Sequence, residues 1–368
     1  MNTCRKRLPS TAARFRSANR ESEMDKLRTA LIGCGPRGVE GHGHKLKESD
    51  RFDLVAVCDL DEALAANTAE ALGCEAVTDY KKLLRRTSIE AVVIVTATEF
   101  HSKLALRAVK AGKHVLLEKP LTHDLASAVA LLQAAKEAGV KGMVCYQLRF
   151  HPFYEALKQQ AAQIMPVQLY SSRQCGLMGR KYLQAGAQGG LLDFCSHDFD
   201  VALWLMGVKP KRVFATLGQG IYTDTNAVDL LSVQIEFGPD PLRAAHVVSS
   251  MGGMGIPRRY DLVGRHGNVT AQGQGLKRTT LSIGETGRST SDSVEIAVDP
   301  GGPDPTHLLH EHFADYIRDT TGKFPAKATL RDGVNSLLIA EAALESSRNK
   351  TVVELDELAA RHGYALGG

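Results

Sequence analysis

Five groups of residues in this 368-residue chain have types and spacings suited to joint chemistry. The first is Gly33-Cys34-Gly35-Pro36-Arg37-Gly38, which directly follows an apolar run. Glycines at this spacing permit a tight turn, close approach of backbone N–H groups to a pyrophosphate, and close packing of a helix on a strand. Asp59 ends the next strong apolar run. A carboxylate there accepts hydrogen bonds from ribose hydroxyls and repels a 2′-phosphate, so NAD is expected over NADP. Arg37 is the opposing signal, because a guanidinium beside the turn can hold either phosphate.

The second group is Thr96-Ala97-Thr98-Glu99-Phe100-His101, and the third is Glu118-Lys119-Pro120. Each follows an apolar run, and open parallel sheets bind ligands at the carboxyl ends of their strands. Lys119 is therefore expected to face the nicotinamide end of a dinucleotide, although a Lys-Pro pair alone also suits a surface turn. The fourth group runs from Gly189 to Asp200 and contains Asp193 and His197. On a helix these share a face, so the carboxylate can orient an imidazole that takes a hydroxyl proton. An isolated pair of this kind also suits a satisfied histidine on an amphipathic helix. The fifth is Arg149-Phe150-His151-Pro152, where Arg149 either contacts substrate hydroxyls or clamps a domain junction. Arg173 and Tyr182 offer further polar groups to a substrate.

Short apolar runs alternate with amphipathic stretches from Leu27 to about residue 150. Helices are expected over Asp61–Leu72, His101–Ala111 and Asp124–Ala138, with a glycine after each. Strands alternating with helices mean a doubly wound parallel sheet of Rossmann type. Beyond residue 150 the pattern predicts a helix from Pro152 to Ile164. Seven strands joined by short turns follow, a large and mostly antiparallel sheet. Further helices are expected over His307–Asp319 and Arg331–Asn349, and a mobile loop over Gly284–Asp292. The expected organisation is a disordered basic tail at 1–26, a dinucleotide domain at 27–150, an α+β substrate and oligomerisation domain at 151–357, and a tail at 358–368. Such a sheet, with helices on one face, leaves the other to be covered by a second copy, giving a homodimer or homotetramer.

Composition narrows the function classes. Residues 1–26 carry seven Lys and Arg against three acids, and the remaining chain is balanced. A neutral body with few aromatics gives no basis for nucleic-acid or anionic-membrane binding. No apolar run approaches the roughly 20 residues that span a bilayer. The seven cysteines are odd in number and contain no CxxC, which points to a reduced, cytoplasmic protein without a metal site.

Together these motifs resemble the Gfo/Idh/MocA family, the glucose–fructose oxidoreductase and inositol dehydrogenase group. The resemblance rests on Gly33-x-Gly35-x-x-Gly38, Asp59, Thr96 to His101, Glu118-Lys119-Pro120, Arg149-Phe150, and Gly190-x-x-Asp193-x-x-x-His197-x-x-Asp200. Thr96-Ala97-Thr98 stands where the family usually has Thr-Pro-Asn, and Cys195 where a glycine is common. The resemblance implies hydride transfer between NAD and a secondary hydroxyl of a sugar, polyol or glycoside. In that scheme Lys119, Asp193 and His197 are catalytic. Gly33, Gly35, Arg37, Gly38, Asp59, Thr96, Thr98, His101, Glu118 and Lys119 hold cofactor. Two alternatives stay open at this point. One is a glycosidase that retains NAD and works by transient oxidation, elimination and re-reduction. The other is a cofactor-binding regulator without turnover, against which Lys119, Asp193 and His197 argue.

Overall fold

The computed structural model describes residues 26–175, 195–222, 224, 228–238, 242–252, 256–283, 289–299 and 301–367. The tail before Lys26, Tyr182 and Asp193 lie outside them. The first layer contains β1 (Leu27–Ile32), a π-helical turn (Arg37–Gly43), α1 (His44–Glu48), β2 (Phe52–Cys58) and α2 (Glu62–Leu72). It continues through β3 (Glu75–Val77), α3 (Tyr80–Leu84), β4 (Ala91–Ile94), α4 (Thr98–Lys110), β5 (His114–Leu117), α5 (Leu125–Glu137) and β6 (Gly142–Val144). The strands pair in the order β3-β2-β1-β4-β5-β6, and every pairing is parallel. The order reverses beside β1, which opens a crevice at the carboxyl ends of β1 and β4.

The local chemistry explains these elements. Asp61 accepts from the backbone N–H groups of Ala63 and Leu64, and Gly73 ends α2 in the left-handed region. Asp124 caps α5 through Ser127 N–H. β4 is buried at every position, as a parallel strand covered on both faces must be.

The second layer contains a 3₁₀ turn (Gln147–Phe150), α6 (Pro152–Gln163), β7 (Val167–Cys175), α7 (Cys195–Met206), β8 (Pro210–Gly218), β9 (Leu230–Phe237) and β10 (Arg243–Ser250). Then come β11 (Arg259–Gly264), β12 (Gly267–Gln272), β13 (Gly275–Ile283), β14 (Ser289–Ile296), α8 (Pro305–Arg318), α9 (Leu330–Asn349), β15 (Val353–Glu354) and α10 (Leu355–Arg361). Nine strands run in the order β14-β13-β12-β11-β7-β10-β9-β8-β15. Burial alternates along β9, with Leu231, Val233, Ile235 and Phe237 facing the core.

The sheet is mostly antiparallel, as expected, with one exception: β10 pairs parallel with β7 and antiparallel with β9. A parallel neighbour requires a crossover, and the chain between β7 and β10 supplies one through α7, β8 and β9. β12 was not expected, since Gly267, Asn268, Thr270 and Gln272 mask the two buried apolar residues Val269 and Ala271. Part of the expected mobile loop is strand, because β14 begins at Ser289. The expected tail at 358–368 is not a tail. Leu358, Tyr364 and Leu366 are buried, and Tyr364 Oη donates to Asn335 Oδ1 at 2.7 Å.

The chain also returns to the first sheet. α9 packs on α5 and β6, and Val144 N–H donates to Ala328 O at 2.8 Å. α8 reaches the π-helical turn and α1. Groups from the distal part of the chain are thereby brought to the strand ends of the first.

Candidate active site

The glycine-rich turn has a distinct physical reason at two of its positions. Gly33 has φ +106°, and a Cβ there would meet Val95 O at 2.2 Å, so only glycine fits beside β4. A Cβ on Gly38 would meet Gly33 O at 2.0 Å, so the following helical turn can close on β1 only without a side chain. Gly35 has nothing within 4 Å of its Cβ position, which leaves its backbone open toward the cleft. Asp59 Oδ2 accepts Cys34 N–H at 2.8 Å and Oδ1 accepts Asp61 N–H at 3.0 Å. The carboxylate is thus fixed to the turn, and each oxygen retains lone-pair capacity for a ribose hydroxyl.

Gly33, Gly35, Asp59, Leu60 and Thr96 line one side of a cleft of about 530 Å³. Such a cleft, with an open backbone cradle and a fixed carboxylate, fits a dinucleotide. Thr98 opens α4, whose cap residue Ala97 makes no side-chain hydrogen bond.

Three of the expected cofactor residues have other commitments. Arg37 directs Nε to Glu118 Oε1 at 2.7 Å. Glu118 is buried beneath that pair, and its Oε2 accepts Lys119 N–H at 2.9 Å. His101 is buried with its ring nitrogens 2.9 Å from Pro120 O and 3.0 Å from Thr96 O. It ties the Thr96 and Lys119 loops together. Burial lowers its pKa against those carbonyls, and a neutral ring donates to one of them at a time.

Lys119 and His197 are not among the residues that line this cleft: Lys119 follows β5, and His197 stands on α7. The two belong to different layers of the fold, and the Lys119 charge acts on His197. The His197 pKa is pushed down to about 3, first by burial and then by the Lys119 charge, with Arg258 and Arg37 adding and Glu118 opposing. His197 is therefore held neutral near pH 7. Its Nδ1 is buried with no hydrogen-bond partner among the described residues, and the ring stands edge-on to Tyr146 at 5.9 Å between centroids. The expected orienting residue, Asp193, and the expected substrate contact, Tyr182, lie outside the described residues.

Arg149 is a clamp. Its Nε and Nη2 hold Asp200 at 3.0 and 2.7 Å, and Nη2 also reaches Asp332 Oδ1 at 3.0 Å. Asp332 belongs to the capping box of α9, so the clamp joins the 3₁₀ turn, α7 and α9. Of the two roles the sequence allowed Arg149, the junction is the one its donors serve. Arg173 needs a plain correction. Strand alternation turns Tyr170 and Ser172 inward and Arg173 to the exposed face, away from His197.

Sequence reasoning missed His42 and His310. His42 Nε2 lies 3.0 Å from Glu118 Oε1, and His42 Nδ1 lies 3.0 Å from His310 Nε2. His42 sits in the π-helical turn, where ordinary helical spacing fails, and His310 is separated from it by 268 residues, so no local pattern links them. Burial would raise the Glu118 carboxyl, but the hydrogen bond from His42 and the charges of Arg37 and Lys119 hold it well below its usual range. Donor atoms of His42, Glu118 and Cys145 lie within 4.8 Å of one another. The Arg37 guanidinium already occupies that carboxylate, which opposes a cation in the same place.

Known proteins agree with this architecture. Residues 27–146 match the oxidoreductase family's NAD-binding Rossmann fold, and residues 179–355 match its C-terminal alpha/beta domain. The chain is 27% identical over 341 residues to a myo-inositol 2-dehydrogenase of Thermotoga maritima, covering 90% of this chain and 99% of the relative. It is 28% identical over 348 residues to an NAD⁺-dependent scyllo-inositol 2-dehydrogenase of Bacillus subtilis, covering 90% and 97%. Among solved structures, an oxidoreductase from Agrobacterium radiobacter in complex with NAD⁺, L-tartaric acid and magnesium shares the fold. Its TM-score is 0.77 at 19% identity, covering 90% of this chain and 99% of that one. With both of its halves matched and a glycine cradle before a fixed Asp59, this chain belongs to the Gfo/Idh/MocA family of NAD-binding oxidoreductases.

Proposed function

We propose that this oxidoreductase removes hydride from a secondary hydroxyl carbon of a cyclic polyol or sugar. NAD, when bound, supplies the hydride acceptor. The chain's own residues handle the proton and the charge. His197 takes the hydroxyl proton as the C–H pair leaves, and the carbon becomes a carbonyl. Lys119 donates a hydrogen bond to the reacting oxygen and steadies the negative charge that develops there. Asp193, i−4 to His197 in the sequence, is the residue proposed to orient it. Gly33, Gly35 and Asp59 hold the dinucleotide, with Thr96 and Thr98 at the nicotinamide side.

What supports this reading is that the Lys119 charge, carried at the end of β5, acts on the buried His197 of α7. The inositol dehydrogenases among the relatives support a polyol as substrate. Nothing in the described site favours the NAD-retaining glycosidase. The test is a panel of myo-inositol, scyllo-inositol, aldoses and aryl glycosides with NAD, following NADH absorbance and free aglycone together. NADH formation with a polyol or aldose is expected. Aglycone release without net NADH, or no NADH with any member, would overturn the reading.

We further infer that the exposed face of the nine-stranded sheet is covered by a second copy in a dimer or tetramer. Leu169, Phe214 and Val263 stand on that face at 44%, 41% and 43% exposure. Light scattering at micromolar concentration should give at least twice the mass of one chain, and a monomer would reject the assembly. Six free cysteines among the described residues support a reducing, cytoplasmic setting.

A further inference from the structure

The Lys119 turn is braced from behind by side chains that no motif links. Glu118 uses both oxygens: Oε2 accepts the backbone N–H of Lys119 at 2.9 Å, and Oε1 faces Arg37 Nε at 2.7 Å and His42 Nε2 at 3.0 Å. Behind His42 stands His310 of α8, with its Nε2 3.0 Å from His42 Nδ1. Both imidazoles are wholly buried.

The direction of the chain follows from counting donors. A carboxylate only accepts, so the proton between His42 and Glu118 belongs to His42 Nε2. Burial keeps His310 neutral. If His310 Nε2 donates, it satisfies His42 Nδ1 and leaves His310 Nδ1 as a lone pair. That nitrogen is buried without a partner among the described residues. The reverse sense would leave a buried N–H on His310 unpaired, which is rarer and costlier than an unpaired lone pair. The donor sense is therefore His310 to His42 to Glu118, with Glu118 gripping the Lys119 peptide.

We propose that His42 and His310 are positioning residues for Lys119. His310 fixes the tautomer of His42, His42 fixes the Glu118 carboxylate, and Glu118 fixes the peptide that carries the reacting ammonium. The proposal rests on the reading above only for the role of Lys119. It makes α8, from the far end of the chain, part of the apparatus that aims a residue of the first sheet.

The test uses the full chain with lysines ¹³C-labelled at Cε, the Lys119 resonance being assigned by its loss in Lys119→Arg. His42→Leu and His310→Leu are expected to displace that resonance. His42→Gln and His310→Gln, which return an N–H near the lost Nε2, are expected to restore it. With myo-inositol and NAD, the leucine variants should lose about 10- to 100-fold in kcat, the size of a reacting group misplaced by about an ångström, while KM for NAD stays within about twofold. An unmoved Lys119 resonance in both leucine variants, with only a lowered Tm, would make the pair a packing element and overturn the proposal. If a leucine variant does not fold, His310→Asn against His310→Gln carries the comparison, since the shorter amide cannot reach His42. Identical Lys119 signals in those two would also overturn it. The resonance reads Lys119 without turnover, so inactivity toward myo-inositol would count against the substrate assignment and not against the positioning chain.

Discussion

The dinucleotide cleft and the proposed reacting pair are built by different means. In the cleft the work is local and done largely by backbone. Gly33, Gly35 and Gly38 shape one turn, and Asp59, at the end of the neighbouring strand, is fastened to it through Cys34 N–H. At the reacting pair almost nothing is local. Lys119 is set by Glu118, which is held by Arg37, His42 and, behind it, His310. His197 arrives on α7, which Arg149 locks to α9 through Asp200 and Asp332. The comparison teaches that cofactor binding here depends on steric exclusion within one short stretch. Chemistry depends on buried charge drawn from the whole chain. The two should therefore fail separately.

The largest expected effect is at the reacting pair. Lys119→Ala should cut kcat by a factor on the order of 10² to 10⁴ while NAD affinity stays nearly intact. His197→Ala should act similarly. The double variant should lose less than the product, since groups acting on one oxygen are not additive. Calorimetry of NAD, Tm and kcat on the three variants would decide it. A fully active Lys119→Ala protein would remove Lys119 from the chemistry and end the distinction between the two regions.

Next in size is the clamp. Arg149→Leu strands Asp200, which is fully buried, and leaves Asp332 without its guanidinium. Breaking a buried ion pair from one side costs about 3–5 kcal/mol, so urea unfolding should show a loss of that order. Arg149→Leu combined with Asp200→Leu should recover part of it, because no lone buried charge remains. A loss under about 1 kcal/mol, within the range of exposed pairs, would mean that α7 is held by packing alone.

The same division explains what was legible in the sequence. The first sheet announced itself because each of its signals acts within a few residues. Asp61 and Asp124 cap helices by reaching two or three residues forward, and Gly73 and Gly139 close them in the left-handed region. The glycine turn and Asp59 belong to this class. His42 and His310 do not, since their meaning lies in a contact across the fold. Glu118 and His101 were visible as motif members, but their burial was not, so they were assigned to the cofactor rather than to the scaffold that holds its loops. Arg173 was misplaced by one step of strand alternation, which turns a side chain from the inner face to the outer. β12 was lost because its polar, glycine-led sequence pairs well while burying only two apolar residues.

The smallest effect expected should sharpen the comparison from the dinucleotide side. Asp59 is held by Cys34 N–H and Asp61 N–H, so its carboxylate is a fixed charge at the end of β2. A fixed negative charge disfavours a 2′-phosphate and accepts hydrogen bonds from the free hydroxyls of NAD. Three opposing groups are present: Lys81, Lys103 and Arg107 line the same cleft and would attract a phosphate. The carboxylate should prevail in the native chain because it meets the ribose itself. Asp59→Ala should weaken NAD and improve NADP, narrowing the ratio of their affinities by roughly tenfold, the scale of one charge-assisted hydrogen bond. Because this change is confined to the cofactor cleft, kcat at saturating NAD should stay within about threefold of native. Titration of both dinucleotides into both proteins checks the first part, and steady-state rates check the second. Equal affinities in the native protein would remove Asp59 as the discriminator. A large fall in kcat at saturation would show that the two regions are coupled through the Gly33 turn, against the separation drawn above.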